Sequence, residues 1–450
     1  MRKSLAVFII VLLSIKVIGQ PGTQKERLEI AAAMEFSMNA ELLDKYYPAS
    51  YDSLYGGFLT AFTHDFKLTG PQDKFIVTQA RHVWTTSLAS IIYPGKSYFL
   101  ASAANGFNFL KEKMWDKQYG GFYNLTDRTG KVKTSGNIVV KEAYGNAFAI
   151  YGLTAYFNAS KDTAALDLAK QTFLWLEAHS HDKTNKGYFQ HLQNDGTPVN
   201  RPAGLPVNNA TGYKDQNSSI HLLEAFTSLY EVWPDNLLRE RLYEMLVLIR
   251  DTMVNNKGYL QLFFTPDWKP ISICDSSEGF VRKYKSIDHV SFGHDVETAF
   301  LMLEASHALH LKNDSTTLII AKRMVDHALA NGWDNDLGGF YNEGYYFKNK
   351  PGITIVFDSK NWWAQAEGLN SLLMMADLFP SDSMQYYDHF KKLWQYTQSY
   401  LIDHVNGDWY EEGLDKEPQR KTGLKAHIWK STYHNFRSLN NCIKRLRANE

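Results

Sequence analysis

Hydrophobic side chains make up 44% of the 450 residues and charged ones 21%, which allows a sizeable buried core and excludes an extended disordered chain. Lysine plus arginine equals aspartate plus glutamate at 48 each, so the chain lacks the basic surplus of a nucleic-acid or anionic-membrane binder and points to a neutral partner. The 11 tryptophans and 26 tyrosines suit either rings stacked on sugar faces or a large helical core.

The chain opens with Arg2 and Lys3, an apolar run from Leu5 to Leu13, and small residues at Val17 and Gly19 before Gln20. This pattern predicts a signal peptide over residues 1–19, hence a secreted, periplasmic protein with a single domain over 20–450. The apolar run is too short to span a bilayer, so no membrane attachment is expected after cleavage. With only Cys274 and Cys442 there is no disulfide framework, and one bridge stays open.

A glycine followed by an aromatic then recurs six times, in motifs ending at Phe58, Phe122, Tyr188, Tyr259, Phe340 and Trp409. The spacings are 64, 66, 71, 81 and 69 residues, room for two ordinary helices and a loop. Asp52, Asp116, Asp182 and Asp334 precede their copies by a few residues, as in turns where Asp caps and Gly supplies a positive φ.

Between these markers the apolar spacing is helical, and it predicts helices over 24–46, 72–92, 97–113, 138–158, 162–178, 216–232, 236–253, 293–311, 315–331, 361–378, 382–402 and 431–447. Six hairpins point to an all-α (α/α)6 barrel of twelve helices in two concentric rings. An open superhelix competes, but six copies without polar terminal caps favour closure.

Unusual polar residues gather at the starts of the second helix of each pair: Arg81, Tyr144, Asn217 with His221, His294 with Glu297, Trp363 with Glu367, and His434 with Arg437, led in by Trp429. If these helices form the inner ring, their N-termini share one mouth, where the helix ends favour a developing oxyanion. His294 and Glu297 are three apart on one helical face, so Glu297 is expected to orient the imidazole. Read singly, each histidine suits a cap or core role, Arg81 a salt bridge, and Trp363 and Trp429 the core; the mutual arrangement carries the functional reading.

Competing motifs are weak. Gly95-Lys96-Ser97 lacks the earlier glycine of a phosphate loop, where Ser90 stands, and there is no HExxH, GxSxG or GxGxxG. His179 and His181 suit a helix end better than a metal. No metal site is assigned, and a cofactor-free reaction is the simplest expectation.

The segments SFGHDVE (291–297), NSSIHLLEAFTSLY (217–230), WWAQAE (362–367) and WKSTYHN (429–435) resemble the N-acylglucosamine 2-epimerase family, and within it the cellobiose 2-epimerase branch. The resemblance implies the same (α/α)6 barrel and reversible inversion at C2 of the reducing-end sugar of β-1,4-linked disaccharides. It also implies roles. His294 and His434 are the acid/base pair around a cis-enediolate, His221 assists ring opening or polarises the carbonyl, and Arg81 stabilises the enediolate oxygens. Asn217, Glu297, Trp363, Trp429, Glu367 and Tyr144 are implied to hold the sugar or the histidines.

Ser218 and Ser219 depart from the branch, whose relatives often have NTHLH there. The expected partner is a disaccharide, bound by a monomer or weak dimer. Alternatives are a mannobiose 2-epimerase, a monosaccharide epimerase or isomerase, and, from other classes, a glycoside hydrolase or a noncatalytic sugar-binding protein. A hydrolase needs two carboxylates flanking the bond, and no Asp-Asp pair stands at an inner-helix start.

Overall fold

The computed structural model of the chain describes residues 21–134, 139–199 and 213–448; the predicted signal peptide lies outside them. Helix α1 (Gln24–Phe36) continues through a π-helical stretch into the short α2 (Asp44–Tyr46). There follow α3 (Ile76–Ile92), α4 (Tyr98–Phe109), α5 (Ala143–Ser160), α6 (Thr163–His179), α7 (Gln216–Val232) and α8 (Asn236–Leu248). The second half holds α9 (Glu278–Tyr284), α10 (Phe292–Ala308), α11 (Ser315–Gly332), α12 (Trp362–Leu378), α13 (Tyr386–Tyr396) and α14 (Tyr433–Leu446).

Helices α3, α5, α7, α10, α12 and α14 pack in succession, and α14 returns against α3 to close the ring. Around them α1, α4, α6, α8, α11 and α13 each pair with one inner helix, giving the (α/α)6 barrel. The division follows from sequence. An inner helix such as α5 or α12 is buried on nearly every face and is apolar or small almost all round. Outer helices keep a charged face, and α6, α8 and α11 start at Asp162, Asp235 and Asp314, whose carboxylates accept backbone N–H groups of the first turn.

Each loop from an outer to an inner helix carries one glycine-aromatic marker. Phe58, Phe122, Tyr188, Phe340 and Trp409 are buried, each burial worth about 1.5–3 kcal/mol. In the fourth loop the structure corrects the sequence reading. Leu260, not Tyr259, bridges Val254 and fills the buried place, because that turn is one residue shorter.

Inner helices also reach back to their loops. Gln79 accepts the Phe58 N–H at 2.8 Å and donates to the Phe58 carbonyl at 2.9 Å, and Gln365 does the same to Phe340 at 2.7 and 2.9 Å. Gly57 must be glycine: its φ is +68°, and a Cβ there would meet Gln79 Oε1 at 2.7 Å.

Short antiparallel strands tie successive loops together at this end. β1 (Lys74–Phe75) pairs with β2 (Leu125–Thr126), β3 (Val140–Glu142) with β4 (His191–Gln193), and β5 (Lys214–Asp215) with β6 (Phe263–Phe264). β7 (Val290–Ser291) pairs with β8 (Glu343–Tyr345), and β8 with β9 (Thr354–Phe357). Neither these strands nor α9 was expected from the sequence. Around α9 and the β8–β9 hairpin, Ile273, Val281, Ile287, Tyr345 and Phe347 form a small second core beside the start of α10.

Candidate active site

Because every inner helix begins where an outer-to-inner loop ends, the six N-termini gather at one mouth. Tyr144, Asn217, Trp363 and His434 are second residues of α5, α7, α12 and α14, His294 is the third of α10, and Arg81 and His221 are the sixth of α3 and α7. The barrel thus brings the predicted residues together from all six inner helices.

His294 and His434 flank one indole. The Trp363 ring centroid lies 4.7 Å from that of His294 and 5.8 Å from that of His434. Gly293 permits this approach, since a Cβ there would meet Trp363 at 2.7 Å. The Nδ1 of His294 is 2.8 Å from Ser291 Oγ, and that of His434 is 2.6 Å from Glu367 Oε1. Burial, followed by the neighbouring His221 and His289, pushes the His294 pKa down to about 3. Burial also drives His434 well below the usual histidine range, followed by Arg81 and Arg437. Both imidazoles are therefore neutral, the state in which one nitrogen accepts a proton.

The expected contact between Glu297 and His294 is not made. Ser291, three residues before His294, takes its Nδ1, and Glu297 accepts instead from Arg437 on α14. The same i, i+3 logic succeeds on α7, where His221 Nδ1 is 2.8 Å from Glu224 Oε2. Arg437 also donates to Glu224, to Glu367 at 2.7 Å and to the Tyr433 hydroxyl, which itself donates to Glu224. Glu367 is fully buried, its Oε2 has no partner, and desolvation raises its pKa well above the carboxylate range. Ligand atoms of Glu297, Glu367 and His434 lie within 4.8 Å of one another, close enough for a shared cation, and the guanidinium of Arg437 donates to both carboxylates.

Arg81 lies over the rings of Phe148 and Tyr433, 4.3 and 4.8 Å from their centroids, and donates to the Tyr144 hydroxyl at 3.1 Å. Tyr144 in turn bonds Asn217, and burial raises its phenol. The Nε of Arg81 has no partner, so this buried cation keeps donor capacity in the site. Trp429 packs against Phe75 with 4.6 Å between centroids yet stays 51% exposed, an aromatic face at the rim.

Sequence reasoning missed Ser291, Glu224 and Tyr433 and gave Arg437 no role. Glu224 was within reach, since it stands from His221 as Glu297 stands from His294. Arg437 was not, because its acidic partners lie 70 to 213 residues away.

With an open mouth, two neutral histidines, a buried guanidinium and exposed indole, the site suits proton transfer on a neutral polyhydroxylated molecule. The sequence pattern of the N-acylglucosamine 2-epimerase (GlcNAc 2-epimerase) family matches residues 56–438. The cellobiose 2-epimerase of Bacteroides fragilis is 27% identical over 415 residues, 92% of this chain and 97% of that protein. The D-mannose isomerase of Marinomonas mediterranea is 24% identical over 405 residues, 89% and 94% of the two chains. The solved structure of cellobiose 2-epimerase from Spirochaeta thermophila DSM 6192 superposes with a TM-score of 0.79 at 26% identity, covering 94% of this chain and 98% of that one. The match across nearly the whole described barrel, together with the mouth it surrounds, means that the chain belongs to the N-acylglucosamine 2-epimerase family, in its cellobiose 2-epimerase branch, and is a carbohydrate epimerase or isomerase.

Proposed function

We propose that this protein inverts C2 of the reducing-end sugar of a β-1,4-linked disaccharide of the cellobiose or mannobiose type. The observation that carries the reading is that His294 and His434, on the two helices that flank α12, both lie against Trp363, each with Nδ1 engaged by the protein and Nε2 left for the substrate. In this account one histidine removes the proton on C2 of the opened sugar and the other returns a proton to the opposite face of the enediolate. Arg81 stabilises the enediolate oxygens, and the inner-helix N-termini reinforce it. His221, held by Glu224, assists ring opening, Asn217 and Tyr144 take hydroxyls, and Trp363 and Trp429 hold the sugar faces.

Conversion of an aldose such as mannose to its ketose is the second reading, favoured by the D-mannose isomerase relatives. The two share the enediolate and differ in whether the proton returns to C2 or C1. The basic, apolar opening of the sequence supports the further proposal that the protein acts after export, in the periplasm.

Incubation with cellobiose, mannobiose or mannose in heavy water, followed by NMR, tests the reading. Deuterium at C2 of an inverted reducing sugar with the glycosidic bond intact is expected. Ketose alone selects the second reading, and unlabelled sugar or released monosaccharide without exchange overturns both.

A further inference from the structure

Beneath the mouth, the second and third turns of the inner helices hold a buried charged cluster. Glu224 on α7, Glu297 on α10 and Glu367 on α12 surround one guanidinium, Arg437 of α14, and all four are 5% exposed or less. Each terminal nitrogen of Arg437 bonds a carboxylate that supports a histidine. NH1 bonds Glu224, whose other oxygen is 2.8 Å from His221 Nδ1, and NH2 bonds the Glu367 oxygen that lies 2.6 Å from His434 Nδ1. Tyr433 completes the connection: its hydroxyl joins Arg437 to Glu224, and its ring carries Arg81 and Arg437 at 4.8 and 4.5 Å from the centroid.

We propose that Arg437 is a positioning residue that joins the His221–Glu224 and His434–Glu367 pairs into one hydrogen-bonded unit and so fixes which nitrogen of each imidazole faces the substrate. This rests on the proposed proton-transfer function but concerns groups that need not touch the sugar. Three acidic side chains share one buried cation, so a change in either pair alters the hold of Arg437 on the other. Lysine is a poor substitute, because a single ammonium cannot offer two parallel edges to three acids on three helices.

The titratable and charged groups placed against His434 are Arg81 from α3, His221 from α7, His294 and Glu297 from α10, and Glu367 from α12, with Tyr433 and Arg437 on its own helix. Of the cations, Arg81 and Arg437 both depress His434. Removing Arg437 therefore raises the pKa of His434, and a base that is protonated at higher pH loses activity there.

The test measures kcat/KM against pH for the full-length protein and for Arg437→Lys and Arg437→Met, together with NMR titration of the histidine side chains without sugar. The acid limb is expected to move up by about one pH unit in Arg437→Met and less in Arg437→Lys, with kcat falling more than KM rises. His221 and His434 resonances are expected to shift together in either variant. An acid limb and histidine titrations that stay in place while kcat falls would mean a merely structural role and overturn the proposal.

Should Arg437→Met not fold, Glu224→Gln, Glu367→Gln and their double variant keep Arg437 in place. The double variant is expected to lose clearly less than the product of the single losses, and losses that multiply would also overturn the coupling. If the wild-type protein exchanges no proton of any sugar but the His221 and His434 resonances still respond together to replacement of Arg437, the proposed function falls and the coupling stands.

Discussion

Five sectors of the barrel are built alike and the fourth, which carries His294, is not. In the five, the acid of the glycine-aromatic turn is paired with a lysine buried just before the inner helix or in its approach: Asp52 with Lys74 at 3.0 Å, Asp116 with Lys141 at 2.7, Asp182 with Lys214 at 2.8, Asp334 with Lys360 at 2.7 and Asp403 with Lys425 at 2.9. In the fourth, Asn255 replaces the acid and Val290 stands two residues before α10, where Lys74, Lys141, Lys214 and Lys360 precede their helices. Both charges are absent together, as expected when an unpaired buried ion costs far more than a neutral pair. The amide clamp changes too: Asp295 replaces Gln79, Asn146 and Gln365 and accepts the Leu260 N–H at 2.9 Å. The regular sectors show what holds the barrel; the irregular one shows where the frame gave way to Ser291, Gly293, His294 and the α9 lobe.

Breaking a regular sector has the largest expected effect. Lys141→Met leaves Asp116 buried without its cation and also removes donors to the carbonyls of Gly120 and Asn194, so a loss of about 3–5 kcal/mol is expected in chemical denaturation. A loss under about 1 kcal/mol would mean that these pairs do not hold the loops.

Converting the fourth sector to the common pattern is a smaller test. Val290→Lys alone buries an unpaired ammonium and is expected to destabilise, and adding Asn255→Asp should recover about 1–3 kcal/mol of that loss. Additive losses would mean that the two positions do not face each other as in the other sectors.

The smallest effect concerns Asp295. Burial raises its pKa well above the carboxylate range, so the folded chain keeps a proton that the unfolded chain releases near about pH 4. Its contribution is full below that pH and drains away as pH rises toward the folded value. Asp295→Asn is expected to raise stability at neutral pH by about 1 kcal/mol and to flatten that decline, as followed by thermal unfolding across pH. An unchanged slope would mean that Asp295 is ionised in the folded state.

Much of this was legible in the sequence. The helical spacing placed all twelve barrel helices, and the six markers placed the loops. Placement at the mouth was readable wherever a residue stood at an inner-helix start, as for His294, His434 and Trp363, because helix position alone sets it. What escaped depends on partners distant in sequence. The sequence analysis gave the buried lysines no role, since their acids lie 22 to 32 residues away. Glu297 followed a sound local rule and lost to a competing donor on another helix. The α9 lobe left one trace, the 81-residue spacing between Tyr259 and Phe340.

The central claim is that two histidines packed against Trp363, from the helices on either side of α12, carry the proton at C2. His294→Asn and His434→Asn, each confirmed as folded by an unfolding midpoint near that of the parent, are compared with it for C2 deuterium exchange in heavy water. The account predicts that neither variant forms the epimer and that each loses at least about a hundredfold in exchange on one face of C2. Epimer formed at the parent's rate by either variant would contradict it.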